Sequence, residues 1–463
     1  MPTITSLINN FWSATDLREA WFTGNPDFCA VNAHFTHWEA IPGNLDPNDH
    51  FEPSDIATGL EPQSSFVYSV GCHAGLNMPN GQSYTPYNQD FVETLAEKGI
   101  SYIANTGYGY GDYEAVGYSE LLSILFLRNV KQGLTIGDAL AKAKGDYYQR
   151  TAVHSFSPYD EKVLSQVVLY GLPMQKLRLP PAIRNARLLD TPPSPCTVSP
   201  SAEFAGMETQ MVHCVPSTLT ETMTILSISD MEMEVNMGQP VQPRLSVNVS
   251  LSDTIAHGVV FEGGIYNVAE NFDPAVTQVI TDTLSLESSE PEFDFPIWVP
   301  STWDVMNSVR TQTGVDQNLV IIPAQYRATT PITGVERIFE ELTYTVYYSD
   351  KKDGLPPMVW KVEARHQENE KIAFKVETTD FSGVARVVVA YTNGTGEWQT
   401  FDLEEADFDN NLWGGTIPES ADIDFFVQVL DTAGNVSVVD NKGLYFQPLG
   451  RYKVYLPLVV RQW

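Results

Sequence analysis

Strand and helix patterns alternate over the first 180 residues of the chain. Short apolar runs occupy 27–37, 66–70 and 100–105, and each ends in small or polar residues. Runs of this kind predict parallel strands buried on both faces, because a strand covered by helices needs no polar face. Apolar residues at helical spacing predict the helices, at 13–21, 88–98, 119–132 and 135–149, and a last strand follows near 163–170. Residues 1–180 are therefore predicted to form an α/β layered domain, with a long loop over 38–65.

Beyond residue 200 the pattern changes to short alternating runs that predict β structure. Proline clusters mark a linker over 181–199. The runs that follow are separated by Pro, Gly, Asp and Asn, and they predict an all-β domain of sandwich type over 200–352. After another proline pair, the strands predicted over 358–448 resemble the immunoglobulin-like or fibronectin-like modules of bacterial surface enzymes. The predicted fold class is thus an α/β layered domain followed by two all-β sandwich-type domains.

The last residues, 449–463, form a hydrophobic tail that is too short to span a bilayer. This tail resembles those that close some secreted bacterial multidomain proteins, which predicts attachment to the cell surface. A last strand or a frayed terminus is the alternative. No other stretch reaches the roughly 18 apolar residues of a membrane helix, and no signal peptide follows Met1.

Charge excludes one class of partner. The 463 residues include 58 acidic and 27 basic side chains, which give a formal net charge of −31. Nucleic acid is therefore not predicted as a partner, because phosphate binding needs a basic surface. Acidic surfaces are common in secreted proteins and also suit calcium.

The strand at 66–70 runs directly into Gly71-Cys72-His73-Ala74-Gly75. This arrangement predicts an exposed turn that carries a thiol at the carboxyl end of a strand, where ligands bind in open α/β sheets. Small neighbours allow a substrate backbone to approach the sulfur closely. A buried structural cysteine is the alternative, since free cysteine packs as a small hydrophobe. Cys29, in the middle of a predicted strand, is assigned to the core.

Histidines follow the neighbouring strand, at His34 and His37. Adjacent strands that deliver His and Cys to one sheet edge form a thiol–imidazole pair without a local motif. Zinc ligation by these side chains and His73 is the alternative. However, a histidine pair three residues apart converges poorly at a strand end, and no Cys-x-x-Cys or His-Glu-x-x-His pattern occurs. No metal is predicted at this site.

The order strand–His, loop, strand–Gly-Cys-x-x-Gly resembles the gingipain branch of the caspase-like cysteine peptidases. Two later stretches agree, Ile100–Thr106 with the strand after the nucleophile and Val168–Pro173 with a Leu-Tyr-Gly-x-Pro turn that closes such domains. The resemblance covers roughly residues 1–180 and implies a caspase-like fold and a cysteine endopeptidase that requires no cofactor. That fold normally supplies further strands before the histidine strand, so the domain is expected to be N-terminally incomplete.

The resemblance also implies roles for individual residues. Cys72 would be the nucleophile, with His34 preferred over His37 as the acid/base because it stands at the expected strand end. Residues 32, 34 and 36 would share one strand face, away from residue 37. The backbone donors to the oxyanion would come from the Gly71–Cys72 turn and from Phe35. Relatives usually have glycine after the histidine, so Phe35 departs from their pattern.

Three acidic residues border the predicted cleft. Relatives commonly cleave after basic residues by means of an acidic pocket wall, a role that Asp112, Glu114 or Glu120 would fill here. The alternative is that they are ordinary surface charges of an acidic protein.

Two features of the β region involve cross-links or ions. Cys196 and Cys214 are spaced for a disulfide, with two unpaired thiols as the alternative. Turns beginning at Asp380 and Asp431 offer carboxylates for a structural calcium ion, although turn chemistry alone explains them.

Two functions from different classes follow from the sequence. The first is a secreted or surface-attached cysteine endopeptidase that acts on protein or peptide substrates through Cys72 and a histidine. The second is a catalytically inactive extracellular binding or adhesion protein that retains only the sheet. The intact histidine and cysteine turns favour the enzyme, whereas Phe35 and the expected missing strands favour the binding protein.

Overall fold

The computed structural model describes residues 6–449, except for 9–10, 25, 47, 61–64, 79–88, 113–114, 151–155, 178–194, 217–218, 223–224, 229–231, 253, 281–291, 311–313, 368–369, 408–410 and 419–422. The chain divides into two compact units, which are described separately. The first consists of 1–192, 233–241 and 275–293, and the second of 193–232, 242–274 and 294–463. Most of the predicted linker and all of the tail beyond Leu449 lie outside the described residues. Within the described part of the chain, no helix has the length and apolar character needed to cross a membrane.

The first unit contains six α-helices among its described residues. They are α1 (Ala14–Arg18, continued by a π-helical turn over Glu19–Thr23), α2 (Pro53–Gly59), α3 (Phe91–Glu97), α4 (Tyr118–Lys131), α5 (Ile136–Arg150) and α6 (Pro158–Gln166). Its strands are β1 (Phe28–Ala30), β2 (His34–Phe35), β3 (Ala40–Ile41), β4 (Phe66–Tyr68), β5 (Ser101–Asn105), β6 (Gly111–Asp112), β7 (Val167–Tyr170) and β16 (Val279–Ile280). In the chain, β13 (Glu232–Glu234) crosses a boundary between the units.

The central sheet of this unit has the strand order β1-β4-β5-β7. Strands β1, β4 and β5 are parallel, and β7 is antiparallel to β5. Alternate side chains enter two separate cores: Val67 and Tyr102 pack with α1–α3, while Phe66 and Ile103 pack with α4–α6. Helices therefore cover both faces, which explains why these strands are rich in apolar residues on both sides. The predicted α/β layered domain is present.

Two predicted elements of this unit are wrong. The stretch 38–65 contains β3 and α2, and part of the strand predicted near 163–170 is the end of helix α6. Both missed helices have Pro in their first turn and a reciprocal capping pair, Glu52 with Asp55 and Ser157 with Asp160. Capping of this kind satisfies backbone N–H groups that a helix start leaves unpaired, so short helices form there despite few apolar residues.

The second unit is built from β-strands. They are β8 (Cys196–Val198), β9 (Ala202–Phe204), β10 (Met207–Cys214), β11 (Leu219–Thr222), β12 (Ile225–Ile228), β14 (Gln242–Asn248), β15 (Ile255–Phe272), β17 (Asp304–Arg310), β18 (Val315–Ile321), β19 (Ala324–Ala328), β20 (Gly334–Ser349), β21 (Met358–His366), β22 (Lys371–Thr379), β23 (Val384–Thr392), β24 (Glu397–Asp407), β25 (Leu412–Pro418), β26 (Asp424–Asp431) and β27 (Val436–Val439). The longest pairing joins β15 to β20 in antiparallel register.

The two predicted β domains are joined in this unit. Strand β15, from the first, pairs with β24 of the second through Gly264 and Trp398. The Gln428 side chain of β26 also exchanges two hydrogen bonds with the backbone of Phe261, at 2.8 and 2.9 Å. Pairing between distant segments leaves no local signal in a sequence, and the predicted domain bounds of 200–352 and 358–448 stay a prediction. Within 358–448, residues of strands β21–β26 form one apolar core that includes Phe374.

Candidate active site

The carboxyl ends of β1, β4 and β5 meet at one edge of the first unit's sheet. Phe28 pairs with Phe66, and Phe66 pairs with Ser101, so the three strands are in step. Beyond β4, the Ser69 N–H donates to the Ile103 carbonyl at 2.9 Å, which carries the alignment up to the turn that holds Cys72. Cys72 therefore lies at the edge where open α/β sheets bind ligands.

The Cys72 turn is held to β5 by hydrogen bonds. The His73 N–H donates to the Gly107 carbonyl at 2.6 Å, and the Gly75 N–H donates to the Asn105 carbonyl at 2.8 Å. The buried Asn105 side chain donates in turn to the Val70 carbonyl at 2.8 Å. His73 has a φ of 56°, a left-handed conformation that is uncommon outside glycine. The turn thus holds the cysteine in a fixed place.

The thiol of Cys72 lies against the Gly107–Tyr110 loop. The Gly109 N–H donates to Sγ at 3.3 Å, and Sγ lies 3.7 Å from the Gly109 carbonyl oxygen. Only glycine fits at 109, since a Cβ there would lie 2.0 Å from the Val70 oxygen. Cys72 is consequently only 6% exposed. The prediction that its thiol is exposed is therefore wrong. The N–H donor, however, is of the kind that stabilises a thiolate.

The histidine segment packs directly on this turn, although not as predicted. Strand β1 ends at Ala30, and His34 lies instead in β2, which pairs with β3. Residues 32, 34 and 36 therefore do not share one face of a single strand, as was expected from the sequence. The contact with the turn comes from Phe35, because a Cβ on Gly71 would lie 2.4 Å from the Phe35 ring and 3.1 Å from the Ala33 oxygen. Glycine at 71 thus lets the histidine segment reach the cysteine turn.

The His37 imidazole is close enough to the Cys72 turn to be influenced by the charges of nearby groups. Burial lowers the pKa of His37, the charge of Asp90 raises that pKa, and the charge of His73 lowers it. Its carbonyl accepts a hydrogen bond from the Phe91 N–H at 3.1 Å. The structure therefore brings both candidate histidines to the same end of the sheet as Cys72, and the choice of His34 over His37 stays a prediction.

The predicted oxyanion donors are the amide of Cys72, in the Gly71–Cys72 turn, and that of Phe35, and the neighbouring Gly71 N–H is engaged elsewhere. The Gly71 N–H donates to Ser69 Oγ at 3.1 Å. Phe35, the other predicted source of a donor, is buried beside Gly71 and belongs to β2. An oxyanion needs donors already pointing at it, so the Gly71 N–H would have to be released from Ser69 to take part.

Two of the predicted acidic residues lie close together, beyond the loop that contacts Cys72. Asp112, in β6, is buried and accepts a hydrogen bond from the Ala115 N–H at 3.2 Å. Burial raises the pKa of Glu120, and the charge of Asp112 raises it further. The Ser119 N–H donates to the Tyr110 carbonyl at 2.9 Å and the Tyr110 N–H donates to Ser119 Oγ at 3.1 Å, which joins the loop to helix α4. Glu114 lies outside the described residues.

The other two cysteines and the Asp turns have different settings. Cys196 and Cys214 face each other on β8 and β10 and are joined in a disulfide. Burial raises the pKa of the Cys29 thiol to about 12.

In the second unit, carboxylate oxygens of Asp380, Asp431 and Asp353 lie within 4.8 Å of one another, and a structural calcium ion there stays a prediction.

A cleft of about 700 Å³ opens on the second unit. Asp353 and Asp380 line it together with apolar side chains that include Trp360 and Phe381. None of the predicted catalytic residues lines this cleft, so it adds nothing to the case for a peptidase site.

No protein-family model matches the chain. No curated protein matches it either. Among solved structures, it is similar to the complex of Porphyromonas gingivalis RgpB pro- and mature domains, with 16% identity, a TM-score of 0.26 and coverage of 35% of this chain and 87% of that one. It is also similar to gingipain K of the same organism, in a structure on zymogenic latency, with 13% identity, a TM-score of 0.24 and coverage of 35% and 96%. At such TM-scores these likenesses support no conclusion about the reaction, which has to rest on the site itself.

Proposed function

We propose that this chain is a cysteine endopeptidase of the gingipain type, with Cys72 as its nucleophile. The observation that carries the proposal is the setting of the Cys72 sulfur. It lies at the carboxyl end of a central parallel strand, accepts the Gly109 N–H at 3.3 Å, and follows a glycine on which the histidine segment packs. A structural cysteine in the core would need neither the donor nor the histidines.

The reaction follows from these groups. The Cys72 thiolate attacks the carbonyl carbon of the peptide bond, an S–C bond forms, and the carbonyl oxygen takes up the negative charge. An imidazole from residues 34–37 protonates the leaving amine as the C–N bond breaks. Water then hydrolyses the thioester, with the same imidazole accepting its proton. Because Gly109 lies against the sulfur, the 107–110 loop has to move before a peptide can reach Cys72.

Substrates with basic side chains are the class that the acidic pair supports. Asp112 is buried and Glu120 is exposed at the start of α4, and the penalty on ionising Glu120 includes repulsion from the charge of Asp112, which raises the pKa of Glu120. A lysine or arginine side chain would relieve that penalty by pairing with the carboxylates. We propose that this pair forms part of the wall of the specificity pocket.

An extracellular location completes the proposal. The disulfide between Cys196 and Cys214 suits an oxidising compartment, because thiols of this kind are kept reduced in the cytosol of most cells. Attachment to the cell surface through residues 449–463 is part of the same proposal.

A second function, an inactive binding protein, is favoured by one specific observation. Cys72 is only 6% exposed, and Gly109 occupies the approach to its sulfur. A protein that had lost catalysis would have no need to open this loop.

The test is hydrolysis of a fluorogenic peptide library by the full chain and three variants. Cys72→Ala should abolish cleavage and leave the melting temperature nearly unchanged. Replacing the working histidine, in His34→Ala or His37→Ala, should cost at least about 100-fold in turnover. Hydrolysis that survives in Cys72→Ala would refute the proposal, and absence of cleavage by the wild type across the library would favour the binding protein.

A further inference from the structure

Asp90 links the cysteine side of the site to the helix that follows it. It is 3% exposed and stands at the N-cap of α3, where Oδ1 accepts the Glu93 N–H at 2.8 Å. Its other oxygen, Oδ2, accepts the Met78 N–H at 2.9 Å and the Asn77 side-chain amide at 3.2 Å. Residues 77 and 78 continue the Cys72 turn, in which the Leu76 N–H donates to the His73 carbonyl. One buried carboxylate therefore holds the chain just after the nucleophile.

The same carboxylate is next to the histidine segment. The residue after Asp90, Phe91, donates its N–H to the His37 carbonyl at 3.1 Å. The Phe91 ring also meets the Phe35 ring edge-on, with 5.3 Å between the ring centroids. Asp90 and Phe91 thus fix the histidine segment and the Cys72 turn to one point at the start of α3.

Charge adds a second link between Asp90 and His37. Two charged or titratable groups act on this imidazole, the Asp90 carboxylate from α3 and the His73 ring from the Cys72 turn, and Asp90 favours the protonated ring. Asp90 also acts on the hydroxyls of Tyr102 and Tyr170, which lie on the neighbouring strands β5 and β7. A carboxylate whose only task was to cap α3 would not need to lie within range of the imidazole.

We propose that Asp90 is a positioning residue for the proposed peptidase and that His37 is the imidazole it serves. The proposal rests on the proposed function of Cys72. Asp90 acts as the carboxylate of a Cys–His–Asp or Ser–His–Asp arrangement does, by orienting the imidazole. It holds His37 next to the Cys72 turn and stabilises the imidazolium that forms when the thiol gives up its proton. His37 thereby takes the acid/base role for which His34 is preferred from the sequence.

The decisive variant is Asp90→Asn in the full chain, because asparagine is as good an N-cap as aspartate and removes the charge, although one of the two accepting oxygens becomes an NH2 donor. Asp90→Ser serves the same purpose if the asparagine variant does not fold. Ser13→Ala, which removes the cap of α1 where Ser13 Oγ accepts the Asp16 N–H at 3.1 Å, is the matched control for loss of a cap.

The pKa of His37 is measured by NMR titration, with the His37 signal assigned by its loss in His37→Gln. In Asp90→Asn the pKa of His37 should fall, because the carboxylate charge that raises it is gone. kcat/KM should fall by about 100-fold, and the imidazole ionisation in its pH profile should move to lower pH. Ser13→Ala should change neither.

An unchanged His37 pKa in Asp90→Asn overturns the proposal whether or not the protein hydrolyses peptides. A fallen pKa with full activity overturns it as well, because His37 would then not be the working imidazole. The titration needs no activity, so failure of the peptidase reading is distinguished from failure of the link between Asp90 and His37.

Discussion

Replacing Gly71 with alanine should separate the histidine segment from the cysteine turn. A Cβ at this position would lie 2.4 Å from Cδ2 of the Phe35 ring, whereas real Cβ contacts are essentially never shorter than 3.0 Å. The ring therefore has to retreat by at least 0.6 Å. Phe35 is 4% exposed and packs against Phe91, so the ring has no free space and the backbone of the segment moves with it.

The expected costs follow from this displacement. Overpacking of a core site of this kind typically costs about 1–3 kcal/mol of unfolding free energy. A misplacement of about 1 Å in a catalytic arrangement costs about 100-fold in rate. A shift of roughly half that size should therefore lower kcat/KM by about 10- to 100-fold. Urea unfolding gives the first quantity and peptide hydrolysis gives the second.

Gly59→Ala is the matched control. A Cβ at Gly59 would lie 2.5 Å from the ring of Phe22, which is a nearly identical clash elsewhere in the same unit. Phe22 is half-buried, so its ring can move at lower cost than that of Phe35. Gly59→Ala should change stability by no more than Gly71→Ala does and leave kcat/KM within about twofold. Equal losses of activity in the two variants, or full activity of Gly71→Ala, would mean that the contact between Phe35 and Gly71 does not position the histidine segment for catalysis.

Three further predictions concern other residues. Iodoacetamide should alkylate Cys72 well before Cys29, whose thiol stays protonated at neutral pH because burial raises its pKa to about 12; equal labelling in the folded protein would contradict this. A preference for cleavage after basic residues should collapse in Asp112→Asn or Glu120→Gln, and an unchanged profile in both variants would remove these acids from the pocket. Glu336 is 0% exposed and burial raises its pKa well above 4.5, so the native state keeps a proton that the unfolded chain releases. Unfolding free energy should therefore fall by about 1.4 kcal/mol for each pH unit above about 4.5, up to the native pKa. The contribution of Glu336 to the fall in unfolding free energy between pH 5 and pH 8, measured by urea unfolding, should disappear in Glu336→Gln. An identical fall in that variant would mean that Glu336 is already ionised in the native protein.

The parts of the fold that the sequence predicted are those with local causes. Strands β4 and β5 are short, fully buried and rich in apolar residues, and helix α4 has apolar residues at helical spacing. Helices α2 and α6 were missed because few of their residues are buried. Their signal was a first-turn proline together with a reciprocal cap, as in Ser157-Pro158-Tyr159-Asp160.

The features of the site that escaped prediction depend on distant contacts. The sequence placed Cys72 at a strand end, but it contains no local sign that Gly109 lies against the sulfur, 37 residues further on. The sequence also placed His34 and His37 near the cysteine, at the end of a predicted strand. In the structure that strand, β1, ends at Ala30, and His34 lies in a separate hairpin formed by β2 and β3. Asp90 falls inside the helix predicted over 88–98, and its place at the N-cap and its bonds to residues 77 and 78 emerge only from the structure.

The central claim is that Cys72 acts as a nucleophile toward peptide carbonyls, and one labelling measurement tests it most directly. The full chain is incubated with a peptidyl acyloxymethyl ketone that carries a terminal arginine, and the site of modification is mapped by mass spectrometry. The account predicts stoichiometric modification of Cys72 that is slowed in both Asp90→Asn and Gly71→Ala, with Cys29 unmodified. Modification of Cys29 at a comparable rate, or no modification of Cys72 while the protein remains folded, would contradict it.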